Sequence, residues 1–270
     1  MRAVILAAGM GSRLHGVAGD NPKCLMRLGG RTLLDRQLAS LNACGVQEVT
    51  VVAGFQAARV AEACGSRASV VENPRFAETN SLYSLWLARP LFASGVLVMN
   101  GDVLFHPRLL CDLLQDRHED ALLVEYRPRG PEAFSDEEMK VKVRGGCVAD
   151  IRKSLAWQRT DGENVGIAKF GPTGAMVLAQ CLDQIVARGG VRDWAPRAFK
   201  QFARTRPLHV VGTRGLPWIE IDFPGDYDRA VGDVLRLVET SETPPRTPAD
   251  APLAVVAADR AEWRPETGHV

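Results

Sequence analysis

The chain is short of the residues that usually mark a metalloprotein, a membrane protein or a nucleic-acid binder. Its five histidines form no H-x-x-x-H or H-x-x-E-H pattern, and its six cysteines (24, 44, 64, 111, 147, 181) form no C-x-x-C, which excludes the common zinc sites. Cysteines scattered in this way predict reduced, packed thiols in a cytoplasm. The net charge is only +1, so no global field favours nucleic acid or an anionic membrane, and neither is expected as a partner. No apolar run reaches the roughly 18 residues of a membrane span, and Met1 leads into an apolar stretch without a basic leader, so a cytoplasmic location is expected. No repeat of 20–50 residues and no hexapeptide solenoid occurs. Lysine is scarce, six against 27 arginines. That scarcity singles out positions 23, 140, 142, 153 and 169, because a compact ammonium sits against one phosphate oxygen where a planar guanidinium does not fit.

What is present is a full core, 46% apolar residues in a chain of 270, and an alternating pattern. Val4–Ala7, Glu48–Ala53, Ser69–Glu72 and Leu97–Asn100 read as strands. They are separated by helical periods over Thr32–Cys44, Gln56–Cys64 and Asn80–Leu91, with another helix over His106–Gln115. Strands divided by helices of this length pair in parallel through right-handed crossovers. The expected fold is α/β, a doubly wound, mostly parallel but mixed sheet of Rossmann-like type in three α/β/α layers. The second half changes texture. Ala121–Tyr126, Met139–Val143, Val148–Ile151 and Val165–Phe170 read as strands, with a hairpin at Arg144–Cys147, then helices over Thr173–Ala187 and Trp194–Arg204. Short strands follow at His209–Gly212 and Trp218–Ile221. A helical stripe through Tyr227, Ala230, Val231, Val234, Leu235 and Val238 begins at Pro224. Residues 1–240 read as a single domain of two halves, 1–120 and 121–240. Residues 241–270 read as a disordered tail.

The chemistry begins at Leu6-Ala7-Ala8-Gly9-Met10-Gly11-Ser12-Arg13-Leu14, directly after the first strand. A strand, a glycine turn and a basic residue are how an α/β fold aims backbone amides at a phosphate. The dinucleotide fingerprint fails, because Leu14 stands where its last glycine belongs, and no Walker loop follows any strand. Pro22-Lys23-Cys24-Leu25 comes close behind. An open doubly wound sheet binds its ligand at the carboxyl ends of its strands, where Gly9 and Asp102 both lie. Asp102 follows Asn100-Gly101, and Asp222 follows Trp218-Ile219-Glu220-Ile221. Two such carboxylates suit magnesium, which takes one or two of them and completes its shell with phosphates and water. Asp222 also suits a helix N-cap before Pro224. Glu220 shares a strand face with Asp222 as an outer partner, and Asp226 suits a cap of the last helix.

These motifs resemble a known family. L-A-A-G-x-G-[ST]-R-[LM] followed by P-K-x-[LM] is similar to the signature of nucleotidyltransferases that join an NTP to a phosphorylated small molecule and release pyrophosphate. The resemblance implies that Leu6, Ala7, Ala8, Gly9, Met10, Gly11 and Gly101 contact nucleotide and that Arg13 and Lys23 act on the phosphates. It also implies that Asp102 and Asp222 hold Mg2+. The string Asn80-Ser81-Leu82-Tyr83-Ser84-Leu85 is similar to one in the small branch that activates phosphocholine, phosphonoalkylamines or inositol phosphate with CTP. That places Asn80 and Ser81 near the base, although Asn80 equally suits a helix cap. The same branch places Lys140 and Lys153 at the acceptor, with Trp194 and Trp218 as aromatic candidates. The implied reaction is CMP transfer from CTP to a small phosphate or phosphonate monoester, with small-molecule substrates and a possible homodimer. The alternatives are a sugar-1-phosphate nucleotidyltransferase using UTP, dTTP or GTP, and a non-catalytic nucleotide sensor. A D-x-D glycosyltransferase finds no D-x-D after the fourth strand.

Overall fold

The computed structural model describes residues 1–240 except His15, Val17 and Ala18. The tail expected over 241–270 lies outside the described residues. The chain opens with β1 (Arg2–Ala7), whose Ala3–Ala7 are buried, and passes through a glycine loop and the short pair β2 (Arg27–Leu28) and β3 (Arg31–Thr32). Helix α1 (Leu33–Ala43) starts on a reciprocal cap: Thr32 Oγ1 accepts from the Asp35 amide, and the Asp35 carboxylate accepts from the Thr32 amide. There follow β4 (Val49–Ala53), α2 (Ala57–Cys64), β5 (Ser69–Glu72), α3 (Ser81–Leu87), β6 (Val96–Asn100) and β7 (Val103–Phe105). The second half contains α4 (Pro107–Gln115), β8 (Ala121–Tyr126), β9 (Lys140–Arg144), β10 (Cys147–Arg152), β11 (Gly162–Phe170), α5 (Pro172–Ala187) and α6 (Pro196–Ala203). It closes with β12 (His209–Gly212), β13 (Trp218–Glu220), α7 (Pro224–Arg229) and α8 (Leu235–Thr240), the last two joined by a π-helical turn over Ala230–Val234. That wide turn rotates the expected apolar stripe: Ala230, Leu235 and Val238 are buried, while Val231 faces solvent.

Nine strands form one sheet in the order β5-β4-β1-β6-β11-β8-β12-β10-β9. From β5 to β6 all pairings are parallel, as the helical spacers require. Beyond β6 the expectation of a mostly parallel sheet needs correcting. Strand β11 runs antiparallel to both β6 and β8, and β10 is antiparallel to β9 and β12, so only β8–β12 is parallel there. For β9 and β10 the reason is local: the Gly145-Gly146 hairpin returns the chain without a crossover helix. Apolar cores fill both faces of the sheet, giving three layers. A third cluster of Leu14, Met26, Leu28, Ile219, Ile221 and Ala230 lies apart from both and ties the glycine loop to the C-terminal strand and helix.

The cysteine expectation is also corrected. Cys44, at the end of α1, and Cys111, on α4, form a disulfide with Cα atoms 5.8 Å apart, within the usual bridging range. Sequence spacing could not reveal it, because only the packing of the two helices brings them together. Cys24, Cys64, Cys147 and Cys181 are free and buried.

Candidate active site

Two backbone ladders build the site. At the carboxyl end of β1, the Gly101 amide donates to the Leu6 carbonyl at 2.9 Å, seating the turn after β6 against the start of the glycine loop. A Cβ on Gly101 would stand 2.9 Å from that carbonyl, so only glycine fits. The second ladder is the small antiparallel pair β7–β13, which matches Val103 with Glu220. It continues through the Ile221 amide, which donates to the Asp102 carbonyl at 3.0 Å. The two aspartates, distant in sequence, are thereby fixed side by side.

Both carboxylates converge on Lys23. Its Nζ donates to Asp102 Oδ2 at 2.8 Å and to Asp222 Oδ1 at 2.5 Å. Burial on its own would lower the Lys23 pKa; the two carboxylates outweigh it and hold the ammonium well above its ordinary value. Gly11 completes the arrangement. Its φ of +61° is left-handed, and a Cβ there would lie 3.3 Å from Lys23 Cβ, so the loop backbone rests on the lysine stem.

The donor chemistry fits a divalent cation of magnesium type. Two hard carboxylates meet at one point, and Asp102 Oδ1 is buried with no hydrogen-bond partner, an acceptor left available for an ion. No group of three or more potential metal ligands exists among the described residues, so any such ion would draw its remaining ligands from substrate and water. Glu220 stands next to the pair as expected. Burial, then the neighbouring Asp102 and Asp222, push its carboxyl up to about 8, and Asn100 Nδ2 donates to it at 3.3 Å. Asp226 is the predicted cap: Oδ2 accepts from the amides of Asp222 and Phe223 at 3.0 and 2.9 Å. The cap therefore also fixes the backbone of Asp222, whose own side chain stays free to face Lys23.

The remaining candidates divide. Leu6, Ala7 and Ala8 are buried, so they offer backbone alone, whereas Gly9 and Met10 are exposed on the loop. Arg13 is exposed, stacks 5.0 Å from the Phe223 ring centroid and donates to Glu137 at 3.2 Å. Asn80 does cap a helix, its Oδ1 accepting from the Ser81 amide at 2.8 Å. Ser81 Oγ accepts from the Ala195 amide at 2.9 Å, so the start of α3 anchors the segment that carries Trp194. Lys140 is 4% exposed and donates to the Lys153 carbonyl at 2.7 Å; it supports the turn from behind and faces neither cavity described next.

Two cavities contain candidate residues. One, of about 350 Å3, adjoins Asp222 and Glu220 and includes Trp218 and Glu163. In its wall Arg127 pairs with Glu125, Glu138 and Glu163 at 2.8, 3.2 and 2.6 Å. One guanidinium shared by three carboxylates leaves Glu163, the most buried, pushed up to about 8 by desolvation. The other cavity, of about 550 Å3, is basic and includes Lys153, Trp194, Arg197 and Lys200. Trp218 and Trp194 thus belong to different cavities.

Several participants escaped the sequence. Gln37 on α1 is 1% exposed, and its Nε2 donates to the carbonyls of Asn100 and Val103 at 2.9 Å each, bracing the turn that carries Asp102. An amide on the apolar face of a helix was the available signal. Phe223 and Glu137 carried no signal, because their importance depends on what lies across the crevice.

Comparison with known proteins gives the family. Residues 3–168 match the MobA-like NTP transferase domain. The chain belongs to that family. It is 38% identical over 241 residues to the CMP-5'-(3-aminopropyl)phosphonate synthase of Streptomyces rubellomurinus, covering 85% of this chain and 38% of the relative. It is 31% identical over 231 residues to the bifunctional IPC transferase and DIPP synthase of Rubrobacter xylanophilus, covering 83% of this chain and 50% of the relative. The chain thus spans half or less of the length of these two relatives. The solved inositol-1-phosphate CTP transferase of T. maritima superimposes with a TM-score of 0.72 at 23% identity, covering 89% of this chain and 96% of that one, which establishes the shared Rossmann-like fold. Among the described residues no helix is long and apolar enough to cross a membrane.

Proposed function

We propose that this chain transfers a cytidylyl group from CTP to a small phosphate or phosphonate monoester and releases pyrophosphate. The observation that carries the reading is the meeting of Lys23, Asp102 and Asp222 beside the glycine turn at the carboxyl ends of β1 and β6. The choice of CTP is supported by relatives whose names specify a CMP-phosphonate product or CTP as the donor.

In this reading an acceptor oxygen attacks the α-phosphorus in line, a new P–O bond forms, and the bond to the bridging oxygen of the β-phosphate breaks. Pyrophosphate leaves with that electron pair, and no protein nucleophile is needed. Asp102 and Asp222 would hold a magnesium ion, whose chemistry there would be polarisation of the α-phosphate. Lys23 orients the two carboxylates and, with Arg13, offsets the charge growing on the departing pyrophosphate. The loop Gly9–Gly11 supplies backbone amides to the phosphates. Residues 1–120 hold the nucleotide and 121–240 the acceptor, whose chain occupies the cavity next to Asp222.

A pyrophosphate-release screen tests this. CTP, UTP, dTTP and GTP are each offered with phosphocholine, aminoalkylphosphonates, glycerol and inositol phosphates, and sugar-1-phosphates. Magnesium-dependent release with CTP and a phosphonate or alcohol phosphate is the expected result. Release only with a sugar-1-phosphate and another NTP, or none with any pair, overturns it.

A further inference from the structure

Glu137 lies in the segment between β8 and β9, and its carboxylate reaches across the crevice between the two halves of the chain. A single oxygen, Oε2, accepts from Arg13 Nη1 at 3.2 Å and from Lys153 Nζ at 3.1 Å. Arg13 comes from the glycine loop and Lys153 from the turn after β10, so one carboxylate bridges cations of both halves. Each cation also rests on an aromatic face, Arg13 at 5.0 Å from the centroid of Phe223 and Lys153 at 4.9 Å from that of Trp194. Phe223 directly follows Asp222, which puts the arrangement at the edge of the carboxylate pair.

Resting on the phosphotransfer reading above, we propose that Arg13 and Lys153 form one anion seat for a substrate phosphate, and that Glu137 is its built-in occupant, displaced when that phosphate binds. The arrangement suits an occupant that leaves. The segment is held independently of Glu137, since Arg127 pairs with Glu125, Glu138 and Glu163, and Arg129 pairs with Asp161. Phe134 is buried. The Glu137 side chain is 46% exposed and Arg13 52% exposed, so their ion pair is weak in water. A phosphate group offers more charge and more acceptor oxygens to the same guanidinium and ammonium. Hydrogen bonds from Lys153 and Arg13 hold the Glu137 carboxyl below its usual range, so it competes as an anion at neutral pH. Removing its charge leaves two cations facing each other, which fixes the sign of the effect: phosphate binding must tighten.

The test is calorimetric and needs no turnover. Inorganic tripolyphosphate probes a seat for the nucleotide, and methylphosphonate probes one for the acceptor. Glu137→Gln should tighten one of the two probes by about two- to fivefold, the range of an exposed ion pair, with no change in Tm. In a Lys153→Gln background the same substitution should have a smaller effect. Glu137→Ala must repeat the gain, which separates loss of charge from a new amide contact. Unchanged or weakened binding of both probes, or an equal gain without Lys153, overturns the proposal even if the enzyme turns over. A chain that releases no pyrophosphate with any NTP refutes the proposed function while leaving this binding result readable.

Discussion

The Ile221 amide donates to the Asp102 carbonyl at 3.0 Å, one rung beyond the β7–β13 ladder. Because that rung is backbone, the spacing of Asp102 and Asp222 does not depend on either carboxylate. Replacing one of them changes the chemistry without moving the frame. Asp102→Asn and Asp222→Asn should each reduce pyrophosphate release by at least about 10²-fold, as loss of a charged transition-state contact does. Circular dichroism should stay native. Near-normal turnover in either variant would remove that residue from the proposed cation site.

Gly11 sets the distance from the loop to Lys23. Gly11→Ala combines a left-handed φ with a Cβ 3.3 Å from the lysine stem. The backbone cost is about 1–2 kcal/mol. A loop that relaxes by lifting off Lys23 loses nucleotide affinity, so KM for the NTP should rise while the acceptor KM changes little.

Gln37 acts at one remove. Gln37→Leu strips two hydrogen bonds from the turn carrying Asp102 and leaves the carbonyls of Asn100 and Val103 without that donor. Stability should fall by about 1–3 kcal/mol in urea unfolding. A fall in kcat larger than the accompanying change in KM would show that the turn is positioned by this amide. A purely structural role would lower the amount of folded enzyme and leave kcat per folded molecule unchanged.

Acid should destabilise the fold through particular carboxyls. At Asp161 burial acts to raise the pKa, but hydrogen bonds from Arg129, the Val143 amide and Lys142 outweigh it and hold the group below its ordinary 3.8. Asp35 behaves alike, burial being outweighed by hydrogen bonds from Thr32 and Arg67. Their contribution is therefore full above the unfolded value near 3.8 and is lost as pH falls through the depressed folded values. The urea midpoint should drop below about pH 4. Asp161→Asn should lower it at neutral pH and make less difference in acid.

The Cys44–Cys111 bridge closes a loop of 67 residues between α1 and α4. Four thiols should react in the denatured, unreduced chain and six after reduction. Reduction should lower stability by about 2–4 kcal/mol. Six reactive thiols without reductant would refute the bridge.

Local signals were strong wherever a residue's task is set by its chain neighbours. The run Val4-Ile5-Leu6-Ala7 is buried on both faces of a parallel sheet, so it reads as a strand unaided. Gly9–Arg13 and Pro22-Lys23 lie close enough along the chain to be read as one pattern. Thr32 and Asp35 display a capping box in four letters. The order of Asp102 and Asp222 was legible, and so was their position at strand ends.

What the tertiary structure decided is the set of relations across the crevice. It turned β11 antiparallel to β6 and β8, joined Cys44 to Cys111, and set the Lys140 ammonium against the Lys153 carbonyl. It also separated Trp194 from Trp218 and placed Glu137 between Arg13 and Lys153. None of these follows from periodicity, because periodicity reports which face of an element is apolar and says nothing of what that face or its rim will meet. A one-dimensional pattern fixes the elements; the pairing of side chains from opposite halves exists only once the sheet has closed the distance between them.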